Sequence, residues 1–299
     1  MLPARASGVR LRRDDTLRAR MNPPETNPRF HGIDRLYGVG SVARLAQTHV
    51  CVIGIGGVGS WAVEALARSG VGMLTLIDAD EVCVSNTNRQ MHALDGEFGR
   101  AKVAVTAERA RRINPDCTVH AVEEFLTPSN LERLLGRGYD LVIDCCDAFR
   151  VKVETVAWCR RRKLPLIVCG SAGGRTDPTL IAVRDLSKTE HDALLALVRK
   201  KLREEFRFPR GPKRYFGVQA VYSHENVRYP QADGSVCGVR PENGEALKLD
   251  CGGGLGAATH VTAAFAFAAV SRALVKLLAP AAHVDGASAK TSPKLSSLP

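Results

Sequence analysis

Gly54-Ile55-Gly56-Gly57-Val58-Gly59 is the first stretch of this 299-residue chain whose residue types and spacing could do chemistry. Glycines at 54, 56, 57 and 59 permit a tight turn and let the main chain approach a phosphate, which the N-terminus of a following helix then favours electrostatically. The pattern alone also occurs in glycine-rich turns that bind nothing. Here an apolar run precedes it, helical spacing follows it from Trp61 to Arg68, and Asp78 ends the next apolar run. A carboxylate in that position can accept hydrogen bonds from ribose hydroxyls. Further on, Asn86, Arg89 and Lys102 supply donors and cations, a load that suits a triphosphate better than a diphosphate bridge. Asp144-Cys145-Cys146-Asp147 closes another apolar run, and a carboxylate at such a strand end can hold Mg2+ against phosphates. Singly, each of these charges is more often a solvated side chain or a helix cap. Together they fall on one edge of the sheet that their spacing predicts.

That sheet follows from the pattern between the motifs. Apolar runs of strand length recur at 50–54, 73–78, 118–122, 139–145 and 164–170, separated by helical patterns at 61–68, 101–113, 131–135 and 151–162. Such alternation predicts an α/β fold with a doubly wound, mainly parallel, Rossmann-like sheet. Residues 29–170 read as a nucleotide-binding domain. Residues 171–280 read as a C-terminal lobe continuous with the same fold and serving substrate and dimer contacts. It holds an antiparallel strand near 179–183, a charged helix over 189–206, a strand near 217–223 and a closing helix within 255–280. The Arg- and Pro-rich arm 1–28, with Met21 as an alternative start, and the tail 281–299 are expected to be disordered.

Composition narrows the class. Hydrophobic residues make up 45%, as in an ordinary globular protein, and the net charge of +11 favours a polyanionic partner. An Arg-rich composition without any such partner would look the same. The nine cysteines contain no CxxC pair, so no zinc site is expected, and thiols in apolar runs suit a reducing cytoplasm. His260 and Arg272 bracket only eleven residues of the closing helix, which therefore reads as a core element and not a membrane span.

These motifs resemble the HesA/MoeB/ThiF family, bacterial relatives of ubiquitin-activating enzymes that adenylate carboxylates. The resemblance implies ATP and Mg2+ as cofactors and the sheet type of those enzymes. Position by position, Gly56 matches the phosphate-loop glycine, Asp78 the ribose-binding aspartate, and Asn86, Arg89 and Lys102 the triphosphate ligands. Asp147 matches the Mg2+-binding aspartate, with Ala148 where the family often has Asn. Arg35, in Arg35-Leu36-Tyr37-Gly38, matches an arginine that reaches into the partner subunit's site, which implies a homodimer.

Segments such as Arg29-Phe30-His31-Gly32, Asn86-Thr87-Asn88-Arg89-Gln90, Tyr229-Pro230-Gln231 and Asp233-Gly234-Ser235-Val236-Cys237 resemble one branch of that family. Its members dehydrate threonylcarbamoyladenosine in tRNA to a cyclic form. The resemblance implies tRNA as substrate and a sulfur-acceptor protein linked to a cysteine desulfurase as a further partner. Basic clusters at 160–163, 199–203 and 207–214 suit a tRNA backbone, although each alone reads as a solvated face. The alternative is adenylation of a Gly-Gly-ended sulfur-carrier or ubiquitin-like protein, for which Cys237 is the candidate thiol. The glycine turn at 252–254 could cradle an alkali ion or simply let a helix pack closely.

Overall fold

Strands rich in Val, Ile and Leu have no polar face to offer water and must be covered on both sides. The computed structural model of the chain describes residues 27–211, 213–240 and 255–279. Met21, Cys251, the glycine turn at 252–254 and the stretches 1–26 and 280–299 lie outside the described residues. Among those described, β1 (His49–Ile53), β2 (Met73–Ile77), β3 (Thr118–Val122), β4 (Leu141–Asp144), β5 (Leu166–Cys169), β6 (Ile181–Asp185) and β7 (Gln219–Ser223) form one sheet. Its order is β3-β2-β1-β4-β5-β7-β6. Every neighbouring pair is parallel except β6 with β7. Ile53 pairs with both Ile77 and Asp144, so the three central strands end at one level. Strand order reverses between β1 and β4, the place where such sheets open a ligand crevice.

The helices are α1 (His31–Tyr37), α2 (Ser41–Leu45), α3 (Gly59–Arg68), α4 (Lys102–Ile113), α5 (Leu131–Leu135), α6 (Phe149–Arg162), α7 (Ala193–Glu205) and α8 (Thr259–Leu277). One core layer joins α3, α4 and α8 to the sheet through residues such as Val63, Leu66, Val103 and Phe265. The other joins α5, α6 and α7 through Leu134, Val156, Val198 and Leu202. By length and composition α8 could cross a membrane, but half of that apolar window is buried inside the protein. Ala266, Ala269 and Ala273 are buried with no side chain beyond a methyl, which lets the helix lie close to the sheet. Residues after 170 add β7 and β6 to the same sheet and a small hairpin, β8 (Tyr229–Pro230) with β9 (Val236–Cys237).

Two boundaries differ from the sequence pattern for identifiable reasons. The apolar run at 139–145 ends as a strand at Asp144, because that carboxylate turns back onto the chain. Asp144 Oδ1 accepts the Cys146 N–H at 3.0 Å and lies 2.8 Å from Lys152 Nζ. The charged helix begins at Ala193 and not at 189, because Asp192 caps it by accepting the Leu195 N–H at 2.8 Å.

Lys152 and Asp144 are both 0% exposed. Burial alone would push the Lys152 ammonium down, but the adjacent carboxylate raises it above its ordinary value. Removing one partner of a buried pair strands the other charge, at a cost of about 3–5 kcal/mol. Lys152→Met should therefore lower the urea midpoint by that equivalent, whereas Lys152→Arg should lose less. A midpoint for Lys152→Met equal to the parent would mean that the pair contributes nothing to stability.

Candidate active site

The crevice is built by a glycine loop pressed against the next strand's exit. Gly54 takes φ +79°, and a Cβ there would sit 2.8 Å from Cys146 N. A Cβ on Gly59 would lie 1.8 Å from Gly54 O, so the loop cannot close with any larger residue. At Gly56 and Gly57 an added Cβ would instead meet side chains, Gln90 Nε2 at 3.9 Å for the first and Thr262 Cγ2 at 3.2 Å and Arg89 Cγ at 3.4 Å for the second. The N-terminus of α3 opens onto this loop, with the Ser60 N–H donating to Gly56 O at 3.1 Å and the Ala62 N–H to Val58 O at 3.0 Å.

Asp78 lies just past β2 and is part of the loop's support. Its Oδ2 accepts the Ile55 N–H at 2.6 Å and its Oδ1 the Asp80 N–H at 2.8 Å. Burial pushes its carboxyl up, and those two donors together with Lys102 oppose the shift. His92 supports the same loop from beneath, with Nε2 3.0 Å from Ile55 O. Because a carbonyl can only accept, Nε2 carries the proton and donates. Nδ1 is buried without a partner, and burial holds the ring's pKa down at about 4.

Asn86 is buried, its Oδ1 accepting the Cys83 N–H at 3.1 Å, and it starts the turn that carries Arg89. Arg89 Nη1 donates to Ser85 O at 2.8 Å and to Asn88 Oδ1 at 3.0 Å. Its own carbonyl accepts from Trp61 Nε1 on α3 and Thr262 Oγ1 on α8. Lys102 opens α4 with 6% exposure, and its Nζ lies 2.8 Å from Asp80 Oδ2. Asp147 is exposed, three residues past β4, and no hydrogen bond or ion pair among the described residues engages it. It therefore offers a free, hard carboxylate oxygen, the donor type Mg2+ takes alongside water and phosphate oxygens.

The structure thus brings Gly54, Gly56, Gly57, Gly59, Asp78, Asn86, Arg89, Lys102 and Asp147 to one sheet edge. It does not bring Arg35 there. Arg35 is exposed on α1, whose neighbour Phe30 packs on Gly70, in the turn that leads into β2 at the opposite edge. The basic clusters also lie away from the loop. Helix α6 runs back from β4, so Arg160 ends against Gly217, just before β7 begins. Arg161 stacks over Phe206, and Arg203 over Phe216 at 5.3 Å, which gathers the three clusters onto the α6–α7 face. Cys237 is half-buried in the hairpin, its Sγ 3.7 Å from Val239 O.

A model of the ThiF family matches residues 32–292. The chain belongs to the ThiF family. It is 51% identical over 255 residues to the tRNA threonylcarbamoyladenosine dehydratase of Escherichia coli K12, covering 85% of this chain and 95% of that one. The dehydratase of Haemophilus influenzae is 50% identical over 250 residues, covering 84% and 93%. Among solved structures, the ATP complex of the E. coli tRNA N6-threonylcarbamoyladenosine dehydratase, TcdA, superposes with a TM-score of 0.75. It is 48% identical and covers 84% of this chain and 94% of that one.

Two supporting groups of this ThiF-family site escape the sequence pattern, His92 and Lys152, while Asp80 and Asp144 stand within motifs and take their supporting contacts only in the fold. Only Lys152 leaves a trace, as a lysine in register with Val156 and Cys159 on the apolar face of α6.

His92 makes the loop sensitive to acid. Above its ordinary value of 6.5 the ring is neutral both folded and unfolded; between 6.5 and about 4 the unfolded chain takes up a proton that the folded one refuses. Stability therefore falls as pH drops through that window, by up to a few kcal/mol. His92→Gln should flatten this part of a melting-temperature profile. An unchanged slope would assign the acid loss to other groups.

Proposed function

We propose that the chain is an ATP-dependent, carboxylate-adenylating enzyme that dehydrates threonylcarbamoyladenosine beside the tRNA anticodon to its cyclic form. The observation that carries this reading is the extent of the likeness, which runs through the nucleotide edge and on past residue 215 into the hairpin. The cytoplasm, where tRNA is modified, is the matching compartment.

The site's chemistry supports it. A carboxylate resists nucleophiles until one oxygen becomes a good leaving group. The substrate carboxylate attacks the α-phosphorus of ATP and expels pyrophosphate, giving an acyl-adenylate. A nitrogen of the same side chain then attacks the acyl carbon and releases AMP, which carries away the carboxylate oxygen. The nitrogen loses its proton, and the nucleoside has lost one water overall. Because the nucleophile is tethered, effective molarity replaces most of the entropic cost. The protein must neutralise phosphate charge, and Arg89, Lys102 and the α3 N-terminus are the groups assigned to that task. Asp147 would hold Mg2+, which when bound shields the phosphate oxygens. Asp78 is assigned to the ribose hydroxyls.

Neither of the two thiols that follow β4 is poised to attack. Hydrogen bonding to Cys169 and burial push Cys145 well up, and burial does the same to Cys146. Dehydration assays on fully modified tRNA, read by nucleoside mass spectrometry, test the reading. The wild type should remove one water, Cys237→Ser should match it, and Asp147→Asn should lose at least a hundredfold. A wild type that turns over ATP with a Gly-Gly-ended carrier but leaves the modified nucleoside intact would replace this function with carrier activation.

A homodimer completes the proposal. Arg35 stands at the edge opposite its own crevice, flanked by Leu36 and Val39, which are 73% and 75% exposed. Such a patch favours burial against a second copy, with Arg35 delivered to the partner's phosphates. Mixing Arg35→Ala with Asp147→Asn protein should restore up to about a quarter of wild-type activity, since half the subunits pair as heterodimers with one intact site. No recovery despite proven subunit exchange would confine Arg35 to its own subunit.

A further inference from the structure

The loops leaving β5 and β7 enclose a second cleft of about 480 Å3, lined by His191, Asp192, Arg199, Asn226, Tyr229 and Gly238 among others. Its volume lies within the roughly 300–1,000 Å3 range of small-ligand sites. One buried guanidinium organises its walls. Arg175, 2% exposed, donates to Ser171 O at 2.8 Å, Glu225 O at 2.9 Å and His191 O at 3.0 Å. It thereby ties together the exit of β5, the exit of β7 and the turn before α7. Asp192, 3.6 Å from Arg175, accepts the Ser171 N–H at 2.9 Å and caps α7. His191 is fixed in a left-handed conformation at φ +53°, and its Nδ1 lies 3.0 Å from Asn226 Oδ1. A non-glycine residue held there by its surroundings is the kind of local strain that collects at binding sites.

Arg199 is the unusual member. It is half-buried on α7, it donates to the Thr189 hydroxyl, and no carboxylate forms an ion pair with it among the described residues. Burial and the neighbouring Arg203 push its pKa down, and only Asp192 opposes them. A guanidinium that has given up water without gaining an anion gains most from a ligand that supplies one. The cleft also offers the ring of Tyr229, half-exposed, and the Asn226 amide as hydrogen-bonding group. Cation, amide and ring in one cleft form a receptor for a nucleotide, whose phosphate takes the guanidinium and whose base takes the ring.

The location adds to this. Strand β5 neighbours β4, and strands lie about 5 Å apart, so the cleft opens only about one or two strand widths from the Asp144 turn. From Arg199, α7 leads past Arg203 toward the basic residues gathered at the far edge. We propose that this cleft receives a nucleotide of the tRNA anticodon loop adjacent to the modified one, with its phosphate on Arg199 and its base against Tyr229. The proposal rests on the dehydratase reading and names the part of the chain that positions the substrate.

The test compares wild type, Arg199→Gln, Arg199→Lys and Tyr229→Leu. Melting temperature and ATP affinity serve as controls, and a modified anticodon stem-loop serves as ligand at several salt concentrations. Arg199→Gln should weaken stem-loop binding and raise the KM for tRNA by about tenfold, with ATP affinity and kcat near wild type. Its log–log salt slope should fall by about one, the signature of one lost phosphate contact. Arg199→Lys should recover part of the affinity. Tyr229→Leu should weaken binding with the salt slope unchanged, and it carries the test if Arg199→Gln proves unstable. Stem-loop affinity and salt slope equal to wild type in Arg199→Gln, or in Tyr229→Leu an unchanged affinity, would overturn the proposal. So would inorganic phosphate that binds at Arg199 without competing with the stem-loop. Failure of the dehydratase reading itself would look different, since the wild type would then leave modified tRNA unchanged.

Discussion

Where β4 ends, the Asp144 carboxylate and the Lys152 ammonium meet without access to water, and the architecture of the nucleotide edge depends on that contact. The same carboxylate oxygen takes the Cys146 N–H, while Lys152 Nζ lies 3.3 Å from Asp144 O. The turn out of β4 is thus fixed from inside the protein. Gly54 lies against this turn too closely for any Cβ, so the path of the phosphate loop is set by the path of the next strand's exit. A buried ion pair is a poor source of net stability, because desolvation offsets most of the attraction. What this one supplies is position: Asp147 leaves the turn three residues later, and its direction follows from the anchored segment.

Most of the sheet edge is legible in the sequence because it depends on local rules. The Gly54 to Gly59 spacing, the acidic residue after β2 and the alternation of apolar runs with helical patterns each involve neighbours in the chain. The place of Asp78 at the end of β2 was readable from the apolar run before it. That both its oxygens also take main-chain N–H groups, from Ile55 and Asp80, was not, because those contacts require the folded loop. His92 and Arg175 are hidden for the same reason. A histidine or arginine in a loop has no periodicity to reveal its burial, and each is defined by carbonyls far away in sequence.

Charge shows the limit most clearly. The basic clusters at 160–163, 199–203 and 207–214 are visible as composition, but their convergence on one face depends on α6 and α7 running side by side away from the crevice. Arg35 has the complementary history. The resemblance assigned it to a partner subunit's site, and the geometry is compatible with that, because β1 carries the chain from one edge of the sheet to the other and leaves the arginine far from its own loop.

Chemistry and substrate binding therefore divide along the strands. The carboxyl edge gathers the glycine loop, Asp78, Arg89, Lys102 and Asp147, a set suited to concentrating positive and donor groups on a short polyphosphate. Hydrogen bonding to Cys169 with burial at Cys145, and burial at Cys146, push both thiols well up, which disfavours covalent capture by either. A substrate that brings its own nucleophile needs only to be held still, and that demand falls on surface beyond the crevice. A nucleotide cleft next to the crevice and a cationic face running away from it meet the demand in series. The first holds the nucleotide beside the reacting one, and the second takes up the charge of the stem behind it. The affinity of such a surface is mostly phosphate neutralisation, which carries no sequence information. Selection of the modified residue must then come from the chemistry itself: only a side chain with both a free carboxylate and a tethered nitrogen can be adenylated and then close.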